Sequence, residues 1–309
     1  MIRHRIKVHP SSDRLRAEDQ FAWKLAEYAA SAPAIGDEVA AMTSCRVIDN
    51  AAVALAAIDR APVAAARAMA LAHPRDGGAT LFGLAPETQV HAEWAAWANA
   101  TAVRELDFHD TFLAADYAHP GDNIGPLIAV AQQTARSGEE LQRAIAIAYE
   151  VHVALVKSIS LHAYKKDHIA HLAPATAAGI GALLGLEVPV IFQAINQAVH
   201  LSFSTRQSRK GEISSWKAFA PAFSAKLAIE AVDRAMRGEA APSPIYEGED
   251  SVIAFTPFLR ERLGISAGLH LGCEGGGRDV RPSHHSDAQD APQEPSEQLA
   301  VLHHGRRGR

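Results

Sequence analysis

Cysteine is almost absent from this sequence: Cys45 and Cys273 are the two in 309 residues. Two thiols cannot complete a four-thiolate structural zinc site or supply the three or four ligands of a typical iron–sulfur cluster. They build no disulfide framework, so a reducing, cytoplasmic setting is the default expectation. Aromatic residues are scarce at 6%, while 48% of residues are hydrophobic. That mix suits close-packed helices with short side chains between them. No apolar run reaches the ~18 residues of a membrane span, so none is expected. The opening MIRHRIKVHPSSDRLR is basic but has no apolar core for a signal peptide, and we read residues 1–16 as a flexible, solvated arm. A net charge of −5 gives no reason to expect a nucleic-acid partner.

What is present is helix after helix, from about residue 16 to residue 238. EDQFAWKLAEYAA carries a helical apolar stripe at Phe21, Leu25, Tyr28 and Ala29. Further helices are expected over 38–58, from Pro62 to about 73, over 86–106, and over 123–136. ATLFG at 79–83 reads as a short strand or an extended link. Ser137 with Glu140 has the capping-box form and opens a helix through Ile159. Others follow over 167–184, from Pro189 to about 204, and over 216–236, the last ending at Gly238. GIGALLG at 179–185 superficially suggests a dinucleotide loop, but no strand precedes it, so we assign its glycines to close helix packing. Residues 17–255 are expected to form one all-helical domain, mostly α. From 256 to 309 the chain turns to Gly, Pro, His, Arg and Gln without periodicity, a composition expected to stay disordered.

Three clusters could carry chemistry. ELDFHDTFLAADYAHPGDNIG places Asp107, His109, Asp110, Thr111, Asp116, His119 and Asp122 in one short span between two helices. Elimination beside a carboxylate needs a base for a carbon-bound proton and an acid for the leaving hydroxyl. His and Asp are the usual players near neutral pH. On spacing alone a solvated polar loop capped by Asp107 or Asp110 explains the segment more economically. In LHAYKKDHIAH, a metal would draw on His162, His168 and His171, but no carboxylate ligand or familiar spacing accompanies them. A charged helix start, with Asp167 at the positive end, is the plainer reading. TRQSRKGEISSWK holds Arg206, Arg209, Lys210 and Lys217. Several cations suit a substrate with several carboxylates. Arg209 and Lys210 read as ordinary loop residues, whereas Lys217 sits just inside an apolar helix and is expected to face a cleft.

Five segments, in order, carry a resemblance: ANATAVRELDFHDTF, AHPGDNIGPLIAVAQ, KKDHIAHLAPATAAGIGALLGL, TRQSRKGEISSWKAFAPAF and AMRGEAAPSPIYEGED. Together the chain from Ala17 to about Ile253 resembles the MmgE/PrpD family, which includes 2-methylcitrate dehydratases, cis-aconitate decarboxylases and iminodisuccinate epimerases. The wording is most similar to actinobacterial 2-methylcitrate dehydratases. The resemblance implies a metal-independent hydro-lyase without cofactor, converting 2-methylcitrate to 2-methyl-cis-aconitate in propionate breakdown. It implies a small tricarboxylic acid substrate and a homodimer. Decarboxylation or epimerisation on the same fold is the near alternative, and an inactive helical fragment that only dimerises is the distant one. By motif, Asp107 and Thr111 match the DFxDT positions, His119 the HPxG turn, His168 the histidine opening the next helix, and Lys217 the WK pair. The expected roles are proton handling by His119 and His168, and carboxylate binding by Lys217 and Thr111 with Arg206. Asp107 would orient a histidine. The resemblance fades near Phe255, so the family's α/β lid domain is expected to be missing and the remainder to be divergent.

Overall fold

The computed structural model describes residues 2–114, 116–210, 214–255 and 268–271. Among these, the helices are α1 Phe21–Ala30, α2 Asp37–Ala56, α3 Ala61–Leu71, α4 Ala92–Glu105, α5 Ile124–Gln133, α6 Gly138–Ser158, α7 Ile169–Leu184, α8 Val188–Ser202 and α9 Trp216–Met236. The strands form three short antiparallel pairs: β1 Ile2–Arg5 with β6 Gly268–Leu271, β2 Pro74–Thr80 with β3 Gln89–Val90, and β4 Phe112–Leu113 with β5 Tyr117–Ala118. The fold is therefore mostly α, as the sequence pattern predicts.

Helix α7 occupies the centre. It buries 14 of its 16 residues, as a helix that is apolar on every side must. Its small residues let its neighbours close in. A Cβ on Gly179 would lie 2.8 Å from Ala148 Cβ of α6, and one on Gly181 would lie 2.6 Å from Ile191 Cγ1 of α8. GIGALLG is thus a packing surface, in line with its helical context. Helix α4 is the second organiser. It packs on α9, α5, α3 and α2, and its Trp97 ring lies 5.2 Å from Phe219 and 4.5 Å from Phe223 of α9. Two cores result. One joins α4, α5, α7 and α9, and the other joins α1, α6, α8 and residues 245–252. Helix α6 opens with the expected box: Ser137 Oγ accepts from Glu140 N–H at 3.2 Å, and Ser137 N–H donates to Glu140 Oε2 at 2.7 Å.

Several elements differ from the sequence expectation. The helix expected from residue 86 begins at Ala92, because Gln89 and Val90 pair with Thr80 and Ala79 instead. Strand pairing there overrides local helix propensity. By length and composition α2 could cross a membrane, although no long apolar run stood out. Arg46 and Asp49 interrupt it, and Ala54 packs with Ala102 and Val103 of α4. The 1–16 arm is a clearer correction: it docks. Ile6 is buried in the second core, His9 N–H donates to Glu247 O at 2.7 Å, and Ser11 N–H donates to Glu249 Oε2 at 3.0 Å. Apolar burial and backbone pairing together outweigh the basic character of the segment. The disordered tail expected over 256–309 lies outside the described residues, except that Gly268–Leu271 form β6 against β1.

Glu247 closes the second core. Its buried carboxylate accepts the N–H of Phe21, the first residue of α1, at 2.5 Å. Burial pushes its pKa up from 4.5 to about 7, against the pull of the Phe21 and its own backbone N–H groups. Below 4.5 both the folded and unfolded chains hold this proton. Between 4.5 and 7 only the folded chain does, so stability falls as pH rises through that window and then levels. At about 1.4 kcal/mol per pH unit the ceiling is roughly 3 kcal/mol. Glu247→Gln keeps an acceptor for Phe21 without a charge. It is expected to gain stability over the wild type at about pH 8 but not at about pH 4, read from urea midpoints. Equal effects at both pH values would refute this assignment.

Candidate functional site

The site is built where α4 stops. Its last turn carries Arg104, which is only 2% exposed. Two residues past the helix, Asp107 takes a left-handed conformation with φ +59° while its N–H donates to Arg104 O at 3.2 Å. Glycine or asparagine usually fills such a position after a helix. An aspartate there stores strain on the order of 1 kcal/mol. The chain then runs through the β4–β5 hairpin and a 3₁₀ turn, Pro120–Asn123, into α5. The segment is therefore a hairpin rather than a solvated loop, and it lays Asp107–Thr111 against Tyr117–Asp122.

Two features hold this hairpin down. Gly121 N–H donates to the buried Asp110 Oδ1 at 2.8 Å, and a Cβ on Gly121 would sit 2.6 Å from that oxygen and 2.9 Å from Asn50 Nδ2. Any larger residue would force one of these side chains to shift. Beneath, the fully buried Asn123 donates to His152 Nδ1 at 3.1 Å and accepts from Thr176 Oγ1 at 2.7 Å, tying the turn to α6 and α7.

His119 is the centre of the arrangement. Its Nδ1 lies 3.0 Å from the carbonyl oxygen of Asp110. A carbonyl only accepts, so Nδ1 carries the proton and Nε2 carries the lone pair. Thr111 Oγ1 is 3.3 Å from the same Nδ1. Nε2 faces Asp107 Oδ1 at 3.8 Å. Burial, then Arg104 and His109, push the His119 pKa down to about 3, against the opposing pull of Asp122 and Asp107. The ring is neutral at pH 7. Asp107 is ion-paired with Lys217 Nζ at 2.7 Å and with Arg104 at 3.2 Å. Burial would raise its carboxyl, but Arg104 and Lys217 hold it below the usual range.

His168 enters from the start of α7, with its ring 5.7 Å from His119. Asp167 beside it accepts the Ile169 N–H at 3.2 Å, as expected at a helix start. Beyond His168 stands Tyr117, 5.5 Å away, and then His162, 5.4 Å from Tyr117. The Arg206 guanidinium bonds to His162 Nε2 and, at 3.4 Å, to Tyr117 Oη. The structure thus brings Asp107, Thr111, His119, His168 and Lys217 together and sets Arg206 one ring further out. Tyr117, His162, His168 and Arg206, with Asp116, Lys166 and Asp167, line a shallow crevice too narrow to hold a free water molecule. Lys217, on the far side of Asp107, is half exposed.

The trio His162, His168 and His171 does not gather into a ligand set, because the Nε2 of His171 is taken by the Ile159 carbonyl at 2.8 Å. Among the described residues a different group is close enough to hold a cation, namely Asp107, His109 and His119. Within it, His109 Nε2 bonds to Asp122 at 2.9 Å, and both Asp107 oxygens face cations. Arg104 and Lys217 beside it oppose the binding of a divalent cation there.

Arg104, His109, Asp122 and Tyr117 were given no role by sequence reasoning. The available signal was Arg104 itself, a lone arginine three residues before Asp107 in an alanine-rich apolar helix.

The MmgE/PrpD N-terminal domain matches residues 20–257. The chain is 29% identical over 140 residues to a probable 2-methylcitrate dehydratase of Saccharomyces cerevisiae, covering 40% of this chain and 27% of that protein. It is 31% identical over 109 residues to a mitochondrial 2-methylcitrate dehydratase of Yarrowia lipolytica, covering 32% and 21%. With the 2-methylcitrate dehydratase of Escherichia coli K12 it shares 29% identity over 106 residues, 31% and 22%. The matched segments span about a quarter of the length of these relatives.

The packing at Gly121 generates a stability prediction. Gly121→Ala is expected to cost about 1–3 kcal/mol, because Asp110 or Asn50 must shift. Gly138→Ala, where a Cβ meets nothing within 4 Å, serves as the control and should be near neutral. Chemical denaturation of both variants decides it, and a Gly121→Ala protein as stable as the control would contradict the tight approach.

Proposed function

The chain belongs to the MmgE/PrpD family, and on that premise we propose that it forms the helical side of a hydro-lyase site for a small tricarboxylic acid. The proposed reaction is the dehydration of 2-methylcitrate to 2-methyl-cis-aconitate, a step in propionate breakdown. The observation that carries this reading is His119: a neutral imidazole with its Nε2 lone pair beside the Asp107–Lys217 ion pair and a second imidazole, His168, 5.7 Å away.

Dehydration asks for three things. One base takes the proton from carbon next to a carboxylate, and that C–H electron pair becomes the new double bond. One acid protonates the hydroxyl as its C–O bond breaks, so that water leaves. Cations hold the carboxylates while this happens. His119 and His168 are the proton-handling pair. Lys217 at one end and Arg206 at the other are the carboxylate anchors, with Thr111 beside His119. A bound polyanion also raises the proton affinity of His119, which burial and Arg104 keep low. Two cations next to Asp107 favour catalysis without a metal. The full unit is proposed to be a homodimer.

The test uses purified protein with 2-methylcitrate and, separately, cis-aconitate. Unsaturated acid is followed by absorbance and released carbon dioxide is measured. Turnover of 2-methylcitrate supports dehydration. Carbon dioxide from cis-aconitate would replace it with decarboxylation, and a well-folded dimer silent on both would mean an inactive helical fragment. His119→Ala is expected to lower kcat by about 10²–10⁴-fold with the circular dichroism spectrum intact. Lys217→Met should lower kcat/KM about 10- to 100-fold, mainly through KM, as expected for one charge-assisted bond of about 1.5–3 kcal/mol. An unchanged rate in His119→Ala would sink its role.

A further inference from the structure

Arg104 is a buried cation that the proposed reaction does not use. One guanidinium meets two carboxylates: Nη2 lies 3.2 Å from Asp107 Oδ1, and Nη1 lies 3.7 Å from Asp122 Oδ2. Asp122 in turn holds His109 through Nε2 at 2.9 Å, and both side chains are almost fully buried. The His109 ring then lies against His119, with centroids 5.0 Å apart and planes inclined by 31°. Both branches that leave Arg104 therefore end on the same imidazole. Asp107 reaches His119 at Nε2, and Asp122 reaches it through the face of His109.

We propose that Arg104 is the positioning residue of this site, fixing from one planar fork the carboxylate that faces His119 and the carboxylate that carries the ring behind it. Arginine suits the task because its charge is spread over a planar group that faces both carboxylates at once and is kept when buried. Lysine offers a single point of charge. The strained turn at Asp107 gives a reason for the tie, since a residue held at φ +59° needs its surroundings to keep it there.

The charged and titratable groups facing His119 come from every side. Arg104 comes from α4, Asp107, His109 and Asp110 from the start of the hairpin segment, Asp122 from the 3₁₀ turn and His168 from α7, while Lys217 of α9 acts through Asp107. Arg104 stands ahead of His109 among the charges that lower the proton affinity of His119, and ahead of Asp122 among all the charges acting on it.

The inference rests on the site reading above, but its test does not need turnover. Histidine-selective ¹⁵N NMR of the full chain follows the His119 ring as pH is lowered. Arg104→Met is expected to raise the His119 midpoint by roughly one pH unit or more. Where that variant does not fold, Arg104→Met/Asp122→Asn removes both buried charges together. Its midpoint should still rise, by less, because the lost cation acts more strongly on His119 than the lost anion. Arg104→Lys should leave the midpoint low, since the charge remains. A purely structural arginine would lower stability and leave the titration where it was, so an unmoved His119 in a folded Arg104→Met or double variant overturns the proposal. A midpoint near 6.5 in Arg104→Lys would overturn it equally. Absence of turnover in the wild type would count against the proposed reaction and leave the NMR outcome intact.

Discussion

A guanidinium at 2% exposure in an alanine-rich helix is tolerable only when its charge is answered. Removing one partner from such a buried pair typically costs about 3–5 kcal/mol. Asp122 and Asp107 supply the answer for Arg104, and both come from the hairpin segment that follows α4. The electrostatic need of one helix end therefore decides where seventeen following residues go, and the position of His119 follows from it. Burial would push the Asp122 carboxyl up, but His109 and Arg104 hold it well below the usual range. The charges compensate each other as a group, and taking out one exposes the rest.

Around that group burial keeps His119 and His152 neutral. Burial, helped by Arg104 and His109, lowers His119 to about 3, and burial with His171 nearby lowers His152 to about 3 as well. Each is held by a partner that suits the neutral ring: a carbonyl for His119 Nδ1 and the Asn123 amide for His152 Nδ1. A neutral imidazole with its Nε2 lone pair beside the Asp107–Lys217 ion pair suits the proposed role of a base. The same cations that would attract a carboxylate substrate disfavour a metal ion at Asp107, His109 and His119.

The helical frame was legible because it rests on local rules. Helix α9 was expected over 216–236 and occupies those residues, and the Ser137–Glu140 box opens α6 in the expected form. The glycines of GIGALLG are where close packing of α7 requires them. What misled were segments whose conformation is set by distant partners. PETQVH has helical character, yet Gln89 and Val90 pair with β2. The basic arm looked solvated, yet Ile6 finds a core and its backbone finds Glu247. Density of His and Asp marked the 107–123 segment, but spacing could not distinguish a solvated loop from a hairpin, since pairing between Phe112 and Ala118 leaves no strong local signature.

The sequence by itself determined the helices, the small-residue packing of α7, the family, and the order in which Asp107, His119, His168 and Lys217 appear. Those depend on periodicity, caps and motifs, which are properties of neighbouring residues. Only the tertiary structure decided that Arg104 faces inward to two carboxylates, that His119 carries its proton on Nδ1, and that Arg206 stands behind Tyr117 rather than beside His119. Each of these depends on which groups a buried charge or ring meets across the core, and no local pattern encodes the answer.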